Sequence, residues 1–384
     1  MKILLACQQS PHRYPIPAYG FWRTYFVEGL REAGHEVVEV EGADWARGLI
    51  PLTPADLRRW RDETWSRTLD TIRANPDLDF FLGYLYPRQI EYSAIRELQR
   101  LGLPAVNFFC DNVREYRRLP GDFAPFDLHW VPEHAALPMY AARGWPALFA
   151  PMPCWVAPAR RHVPEHEDQV VSFIGRRDPL RAALLAAAAE ADLPLIISGG
   201  GWVPAVTPAL PPPSPTLMAR LDDWIDFYRR QGFGPAWQRL TSRRAAAPRE
   251  TRFDFLPYLR PEPGDEAYAA ILRRSAVTLG INRYPQLGVE GDAEPTYSRL
   301  RDLEAPMLGA CYLTEWAPEL PQLYDLGREI EVYRNAGELI GLAQALLADP
   351  ARRRALRTAG LRRAHADHSV GATVGRIIAR LGLG

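Results

Sequence analysis

Short apolar runs alternate with longer segments of helical spacing through most of this chain of 384 residues. The apolar runs are 3–6, 36–40, 79–85, 105–109, 170–174, 195–198, 277–281 and 330–332. The segments with helical spacing are 21–33, 54–74, 90–101, 179–191, 265–275, 336–347, 351–365 and 370–381. Strands that alternate with helices predict parallel, doubly wound sheets with helices on their faces. The sequence therefore predicts an α/β fold.

The chain is too long for one typical compact core, which predicts two domains. The alternation stops between 150 and 169, where prolines and arginines predict an exposed linker. We therefore expect an N-terminal domain at 1–150, a linker at 151–169 and a C-terminal domain at 170–367. A proline-rich and helical insert is expected near 203–250, and the last helix, within 368–384, is expected to cross back to the N-terminal domain.

Charge and cysteine content exclude several classes of function. The 46 basic and 46 acidic residues cancel, so no overall field attracts nucleic acid or an anionic membrane. Lys2 is the only lysine, so an anion site would have to use arginine. The four cysteines have no C-x-x-C spacing, which argues against zinc. The sequence shows no signal peptide and no apolar stretch that could span a bilayer, and a cytoplasmic protein is expected.

The segment Leu303–Glu315 carries an acid, Glu304, on a predicted short helix that Gly309 ends. A buried strand is expected next, over 310–314. In an α/β sheet, ligands bind where the carboxyl ends of strands meet helix N-termini, so Glu304 could bind sugar or nucleotide hydroxyls. The alternative is a solvated ion pair between Arg301 and Glu304 on one helix face.

A second candidate site is Gly175-Arg176-Arg177, which follows an apolar strand. Asp178 is a predicted N-cap and Pro179 the first residue of the next helix. A helix N-terminus beside guanidinium groups suits a phosphate. The alternative is an ordinary strand-to-helix turn with solvated arginines.

The C-terminal half resembles a glycosyltransferase of the GT-B type, with two Rossmann-like domains facing each other across a cleft. In particular, it resembles the spore-maturation, CgeB-like branch of the family-4-like enzymes. The matching stretches are Val171–Gly175, Val277–Asn282, Arg301–Pro306 through Glu315, Gly327–Ile330 with Tyr333, and His368. They cover roughly the last two hundred residues, interrupted by the insert.

The resemblance implies that a nucleotide-diphosphate sugar binds in the C-terminal domain. Its diphosphate would contact Gly175, Arg176, Arg177 and Arg301, and the stretch that ends at Asn282 would belong to the same donor site. Glu304 matches the second glutamate of the family's Glu-x7-Glu signature, which contacts the ribose or the sugar. Thr296 stands where the first glutamate is expected, with Glu294 displaced by two residues. Retention of anomeric configuration is implied for the transfer.

No Asp-x-Asp motif follows an apolar strand, so no metal and no cofactor are expected. The departing diphosphate would be neutralised by arginine and by the helix dipole.

The acceptor, a small molecule or a glycan, is expected on the N-terminal domain. His12, in the loop after the first strand, could act as a general base or contact the acceptor, or be merely solvated. Asp111 could act on the acceptor or only cap a helix. Tyr14, Tyr19 and Tyr84 are predicted acceptor contacts, although aromatic residues at strand ends are as often structural.

The sequence thus predicts a glycosyltransferase. Two alternatives stay open on the same scaffold, namely a non-catalytic nucleotide-sugar-binding protein and a nucleotide-sugar epimerase. A phosphorylase that uses pyridoxal phosphate is disfavoured, because its Schiff base would need Lys2.

Overall fold

The structure is a computed structural model, and it describes residues 1–14, 16, 19–203, 224–225, 227–228, 230, 232, 252–284 and 295–383. The chain divides into two compact units. Unit 1 comprises Met1–Trp155 and Ala366–Gly384, and unit 2 comprises Val156–His365. Most of the insert predicted at 203–250 lies outside the described residues.

Unit 1 is built on a sheet of six parallel strands. The strands are β1 (Lys2–Ala6), β2 (Glu36–Glu39), β3 (Phe80–Gly83), β4 (Ala105–Phe108), β5 (Leu128–Val131) and β6 (Ala147–Phe149). Their order in the sheet is β2-β1-β3-β4-β5-β6. Three of the four inner strands, β3, β4 and β5, are buried along their whole length, as expected for a parallel sheet covered on both faces.

The helices of unit 1 are α1 (Tyr19–Glu32), α2 (Pro54–Ala74), α3 (Tyr92–Arg100), α4 (Asn112–Glu115), α5 (Leu137–Ala141) and, from the end of the chain, α12 (Val370–Leu381). The longest, α2, starts at Thr53, whose side chain accepts a hydrogen bond from the Asp56 backbone N–H. The last helix packs against α1 at a glycine, because a Cβ on Gly29 would lie 2.6 Å from Cβ of Val370. The C-terminal helix is thus part of unit 1.

Unit 2 contains a second parallel sheet of five strands. They are β7 (Asp168–Ile174), β8 (Leu195–Ser198), β9 (Ser275–Gly280), β10 (Tyr312–Glu315) and β11 (Glu331–Tyr333), in the order β11-β10-β9-β7-β8. Its helices are α6 (Pro179–Glu190), α7 (Asp265–Arg274), α8 (Arg301–Met307), α9 (Leu320–Leu323), α10 (Ala336–Ala348) and α11 (Pro350–Asp367), the last of which ends in unit 1. Single 3₁₀ turns at Ala46–Leu49, Pro87–Gln89, Gly121–Phe123, His134–Ala136, Pro158–Arg160 and Leu256–Tyr258 connect elements in both units.

The two sheets share one strand order. Counted from the first strand of each unit, the neighbours run 2-1-3-4-5 in both, and unit 1 adds a sixth strand. In this doubly wound order the direction of winding reverses between strands 1 and 3. The carboxyl ends of these two strands are therefore where each unit can form a ligand crevice. The prediction of two doubly wound parallel sheets is confirmed.

The prediction of an exposed linker is wrong for its first residues. Met152, Cys154 and Val156 are buried. The indole N–H of Trp130, on β5, donates to the backbone carbonyls of Ala150 and Pro151, 3.2 and 2.9 Å away. The prolines do interrupt regular structure, but the extended chain that they produce covers apolar surface.

A buried ion cluster holds the start of unit 2. The carboxylate of Glu167 lies 2.7 Å from Arg353 and 2.8 Å from Arg357, both on α11. Arg357 has no exposed surface and donates to the carbonyls of Arg273, Ser275 and Gly309. Each buried charge is therefore both paired and hydrogen-bonded, which is the condition for burying it.

The strand predicted at 310–314 begins two residues later. Gly309, with φ of +74°, ends α8 in the left-handed conformation, and the Ala310 N–H still donates to the carbonyl of Ala305 at 3.0 Å. Ala310 thus belongs to the helix terminus, and the strand spans Tyr312–Glu315.

Candidate functional site

A cavity of about 560 Å³ opens at the carboxyl end of β7 in unit 2. This size is within the usual range of small-molecule sites. The residues that line the cavity come from the last residue of β7 and the turn after it, the glycine loop after β8, the segment before α7, α7 itself and the start of α8. They are Ile174, Gly175, Arg176, Gly199, Gly200, Gly201, Glu262, Pro263, Tyr268 and Arg301. Three of the predicted donor residues, Gly175, Arg176 and Arg301, therefore line one cavity.

The loops after β7 and β8 are joined through their backbones. The N–H of Gly175 donates to the carbonyl of Ser198, and that of Arg177 to Gly200, each at 2.9 Å. The carbonyl of Gly175 accepts a hydrogen bond from the indole of Trp202 at 2.8 Å. A Cβ on Gly199 would lie 2.5 Å from the Gly175 carbonyl oxygen, so this close approach requires glycine. The two loops form one fixed wall of the cavity.

The nearby helix N-terminus is already capped. As predicted, Asp178 is the N-cap of α6, and its side chain accepts from the N–H of Arg181 at 2.9 Å. The backbone N–H groups of Gly175 and Arg177 are also used within the protein. An anion in this cavity would therefore rely on arginine side chains more than on the helix terminus that the sequence indicated.

Arginine side chains crowd this region. Arg176 is exposed at the cavity, and the guanidinium of Arg301 lies 5.1 Å from the ring centre of Tyr268. Burial, and then the positive charges of Arg299 and Arg301, lower the pKa of Arg181 below its ordinary value. An anion placed beside these guanidinium groups would offset the like-charge repulsion at Arg181.

Glu304 is held beside this cluster on α8. The hydroxyl of Tyr268 donates to Oε2 of Glu304, and Nε of Arg301 lies 3.8 Å from the same oxygen. The ion pair that the sequence offered as the alternative is therefore present. It is not solvated, because the Arg301 and Glu304 side chains are only 22% and 12% exposed.

The sequence does not predict Tyr268 as a site residue. It lies 36 residues before Glu304 in the chain, and an aromatic residue in the first turns of an amphipathic helix usually indicates core packing. No local signal distinguishes it.

The structure does not support Asn282 as a direct donor contact. Its amide is buried, and it donates to Oδ2 of Asp302 at 3.1 Å and to the backbone carbonyl of Glu315 at 2.8 Å. Burial raises the pKa of Asp302, whose carboxylate also accepts from the hydroxyls of Tyr312 and Thr314. Asn282 instead joins the end of β9 to β10 and α8.

Glu315, the acid at the end of β10, also has a structural role. Its carboxylate accepts from the backbone N–H groups of Asn282 and Arg283, and from Nε of Arg283 at 2.7 Å. Thr296 forms an isolated antiparallel bridge with Arg283, whereas Glu294 lies outside the described residues.

Two of the residues predicted in unit 1 lie in the loop after β1. His12 is exposed, and its ring centre is 6.2 Å from that of Tyr14. The Tyr14 hydroxyl donates to Oδ2 of Asp44 at 2.7 Å, and burial together with this contact raises its pKa to about 12. Tyr19 begins α1, and its side chain lies outside the described residues.

The other two residues predicted in unit 1, Tyr84 and Asp111, lie after β3 and β4. Tyr84 is buried, and its hydroxyl lies 3.1 Å from the Tyr86 hydroxyl and 3.4 Å from Sγ of Cys110. Tyr84 is thus a core residue, and its predicted contact with an acceptor is wrong. Asp111 occupies the N-cap position of α4, but its side chain makes no capping hydrogen bond, and its φ of +69° is unusual for a residue other than glycine. Strained residues of this kind cluster at functional sites, so Asp111 stays a candidate.

Among the described residues, no group of three or more His, Cys, Asp or Glu side chains is arranged to hold a metal ion. None of the described helices is long and apolar enough to cross a membrane.

Residues 216–379 match a family model described as glycosyl transferase-like. No curated protein matches the chain in sequence. Among solved structures, the chain is similar to sucrose-phosphate synthase from Thermosynechococcus elongatus, with 15% identity, a TM-score of 0.56 and coverage of 100% of this chain and 99% of that one.

Two further solved structures are similar over nearly the whole chain. AviGT4, a glycosyltransferase involved in avilamycin A biosynthesis, has 16% identity and a TM-score of 0.51, with coverage of 99% of this chain and 96% of that one. HepE from Anabaena, solved in complex with UDP-glucose, has 12% identity and a TM-score of 0.50, with coverage of 99% of each chain.

At these identities the similarity shows the fold, which is GT-B. The fold and the family match over 216–379 together support a glycosyltransferase enzyme. The cavity of unit 2 lies at the carboxyl end of β7, which is one of the two strands between which an α/β unit of this topology binds its ligands.

Proposed function

We propose that the protein transfers a sugar from a nucleotide-diphosphate sugar, bound in the cavity of unit 2, to a small-molecule or glycan acceptor. The observation that carries this proposal is the cavity lined by Arg176 and Arg301, with Glu304 held beside it. Membership of the CgeB-like branch and retention of anomeric configuration are part of the same proposal.

In the proposed reaction, the bond between the anomeric carbon and the diphosphate oxygen breaks, and negative charge develops on the diphosphate. A new bond joins the anomeric carbon to a hydroxyl oxygen of the acceptor, whose proton is released. Arg176 and Arg301 would neutralise this charge, and the guanidinium of Arg301 is already held over the Tyr268 ring. Groups that are placed in advance lower a barrier because they need not reorganise during the reaction. This mechanism has no obligate divalent cation.

Glu304 would accept hydrogen bonds from hydroxyl groups of the ribose or the sugar. Oε2 of Glu304 already accepts from Tyr268, which leaves acceptor capacity on the carboxylate, since two carboxylate oxygens offer about four lone-pair sites. His12 and Asp111 stay predictions for the acceptor side.

The test is release of free nucleotide from a panel of UDP-, GDP- and dTDP-sugars, with and without EDTA. We expect turnover of at least one donor, unchanged by EDTA. Arg176→Ala and Arg301→Ala should each weaken binding of that donor about tenfold or more, about 1.4 kcal/mol. Arg328→Ala is the matched control, because this arginine is 83% exposed and lies outside the cavity.

A non-catalytic nucleotide-sugar-binding protein is the second candidate, favoured by Thr296 at the first signature position. Clear binding of one donor with hydrolysis of none, in the presence of candidate acceptors, would favour it. Equal affinities of the two cavity variants and the wild type would contradict the site assignment.

A further inference from the structure

We propose that Glu262 selects guanine as the base of the donor nucleotide. The inference rests on the proposed function and adds the identity of the base. Glu262 lines the same cavity as Arg176 and Arg301, but it carries the opposite charge. It was not singled out by any motif in the sequence.

The backbone holds Glu262 at the cavity. Pro261 and Pro263 flank it on both sides, and the ring of proline fixes φ near −65°. The helix α7 begins two residues after Pro263, with Gly264 as its N-cap. A carboxylate on such a restricted segment loses little further backbone entropy when it binds a ligand.

The carboxylate of Glu262 is available to a ligand. Glu262 is exposed, and it forms no hydrogen bond or ion pair with any residue in the described part of the chain. The other acid of this region, Glu304, is already engaged by Tyr268 and Arg301. Glu262 is therefore the acidic lining residue whose charge no described contact explains.

The charges of the cavity orient a nucleotide. A phosphate is attracted by Arg176 and Arg301 and repelled by Glu262, so the diphosphate takes the arginine side. The hydroxyl groups of the ribose and the sugar are the proposed partners of Glu304, so the base is the remaining part of the donor with N–H groups that a second carboxylate can accept. The orientation of the donor thus places the edge of the base against Glu262.

The bases differ in the donors that they offer. Guanine presents an imino N–H and an amino group side by side, which match the two oxygens of a carboxylate in a bidentate, charge-assisted pair. Uracil and thymine present one N–H between two carbonyl oxygens. These carbonyl oxygens carry partial negative charge, so a carboxylate repels them. Adenine and cytosine present an amino group next to an acceptor nitrogen. Guanine alone satisfies both oxygens of Glu262.

The experiment measures binding of GDP, IDP and UDP to the full chain by isothermal titration calorimetry. IDP is guanosine diphosphate without the 2-amino group, so it retains one of the two hydrogen bonds. We expect GDP to bind at least tenfold more tightly than UDP, with IDP between them. In Glu262→Gln, GDP should bind about tenfold more weakly than in the wild type, and the difference between GDP and IDP should disappear.

Glu266→Gln is the matched control, because Glu266 is an exposed acid on α7 outside the cavity, paired with Arg160. Thermal unfolding of each variant checks that it is folded. UDP binding as tight as GDP binding, with no effect of Glu262→Gln, would overturn this inference and leave the proposed function standing. Binding of no nucleotide by the folded wild type would overturn the proposed function itself, and the inference with it.

Discussion

The two units have the same strand order, but the residues that follow the first strand differ between them. In unit 1, Gln9 turns back after β1, where its side-chain oxygen accepts from the Cys7 N–H at 2.8 Å and its amide donates to the Leu5 carbonyl at 3.1 Å. In unit 2, the turn after β7 carries Gly175 and the exposed Arg176, and a cavity opens beside it. Topology provides a crevice in both units, and the side chains decide what occupies it.

The residues that follow the third strand of each unit, β3 in unit 1 and β9 in unit 2, also differ. In unit 1, Tyr84 follows β3 and fills the space with a buried ring. In unit 2, Asn282 follows β9 and is drawn into a buried network with Asp302. Both residues are structural, so the open space in unit 2 comes from the glycines after β7 and β8. The comparison therefore locates the open, arginine-lined space of unit 2 at the carboxyl end of β7.

The largest expected effect concerns how the units respond to acid. His129, on β5 of unit 1, is buried among aromatic rings, and neither ring nitrogen has a hydrogen-bond partner among the described residues. Burial lowers its pKa from 6.5 to about 3. Because the unfolded chain binds a proton at this histidine near pH 6.5 and the folded protein does not, acid favours unfolding. The free energy of unfolding is therefore unaffected by this group above pH 6.5 and falls by up to about 5 kcal/mol as the pH drops toward 3. His129→Leu should remove this loss, as measured by urea unfolding across this pH range.

Asp302, the buried carboxyl group of unit 2, has a pKa shift in the opposite direction from that of His129. Burial raises the pKa of Asp302, so acid costs unit 2 no stability through this group. Hydrogen exchange at mildly acidic pH should therefore rise first in peptides of unit 1, and this difference should shrink in His129→Leu. Equal acid sensitivity of the wild type and the variant would contradict the prediction.

The second effect concerns the joined loops of unit 2. Gly199→Ala forces a Cβ into the Gly175 carbonyl at a φ of +122°, which should cost about 3 kcal/mol and abolish tight nucleotide binding. Gly200→Ala is the control for the free energy of unfolding, because no described atom lies within 4 Å of the added Cβ. Chemical denaturation and calorimetric titration measure the two quantities. If both variants behaved alike, the close approach of the loops would not matter for the site.

The smallest expected effect is a difference in nucleotide binding between substitutions of two tyrosines, Tyr268 in unit 2 and Tyr84 in unit 1. Tyr268→Phe removes the hydrogen bond to Glu304 and keeps the ring under Arg301, so nucleotide binding should weaken by about threefold to tenfold, about 1 kcal/mol. Tyr84→Phe, the corresponding change in unit 1, should leave nucleotide binding unchanged and lower only stability. A fluorescence titration of both variants tests the contrast, and a larger binding loss in Tyr84→Phe would reverse it.

Much of the fold could be predicted because its signals are local. The helices over 54–74 and 370–381 have the predicted bounds, since their apolar spacing and their capping residues, Thr53 and Ser369, lie within a few residues of one another. The turn at Gly175 and the cap at Asp178 were found for the same reason.

The errors arise where packing decides. The segment with Met152 and Cys154 contains the prolines of a linker, but Trp130 and apolar surface cover it. Tyr84 and Asn282 have residue types that suit a ligand site, yet their partners, Cys110 and Asp302, are 26 and 20 residues away along the chain. No local pattern contains these pairs.

The sequence by itself determined two doubly wound sheets and a basic turn at the end of β7, because periodicity, caps and glycines act over short stretches of chain. Only the tertiary structure decided which charged groups meet. It placed Tyr268 on Glu304, stacked Arg301 over the Tyr268 ring and left Glu262 unpaired within the described residues at the same cavity. Such contacts depend on how strands are ordered in the sheet, since parallel strands bring residues distant in the chain to one edge.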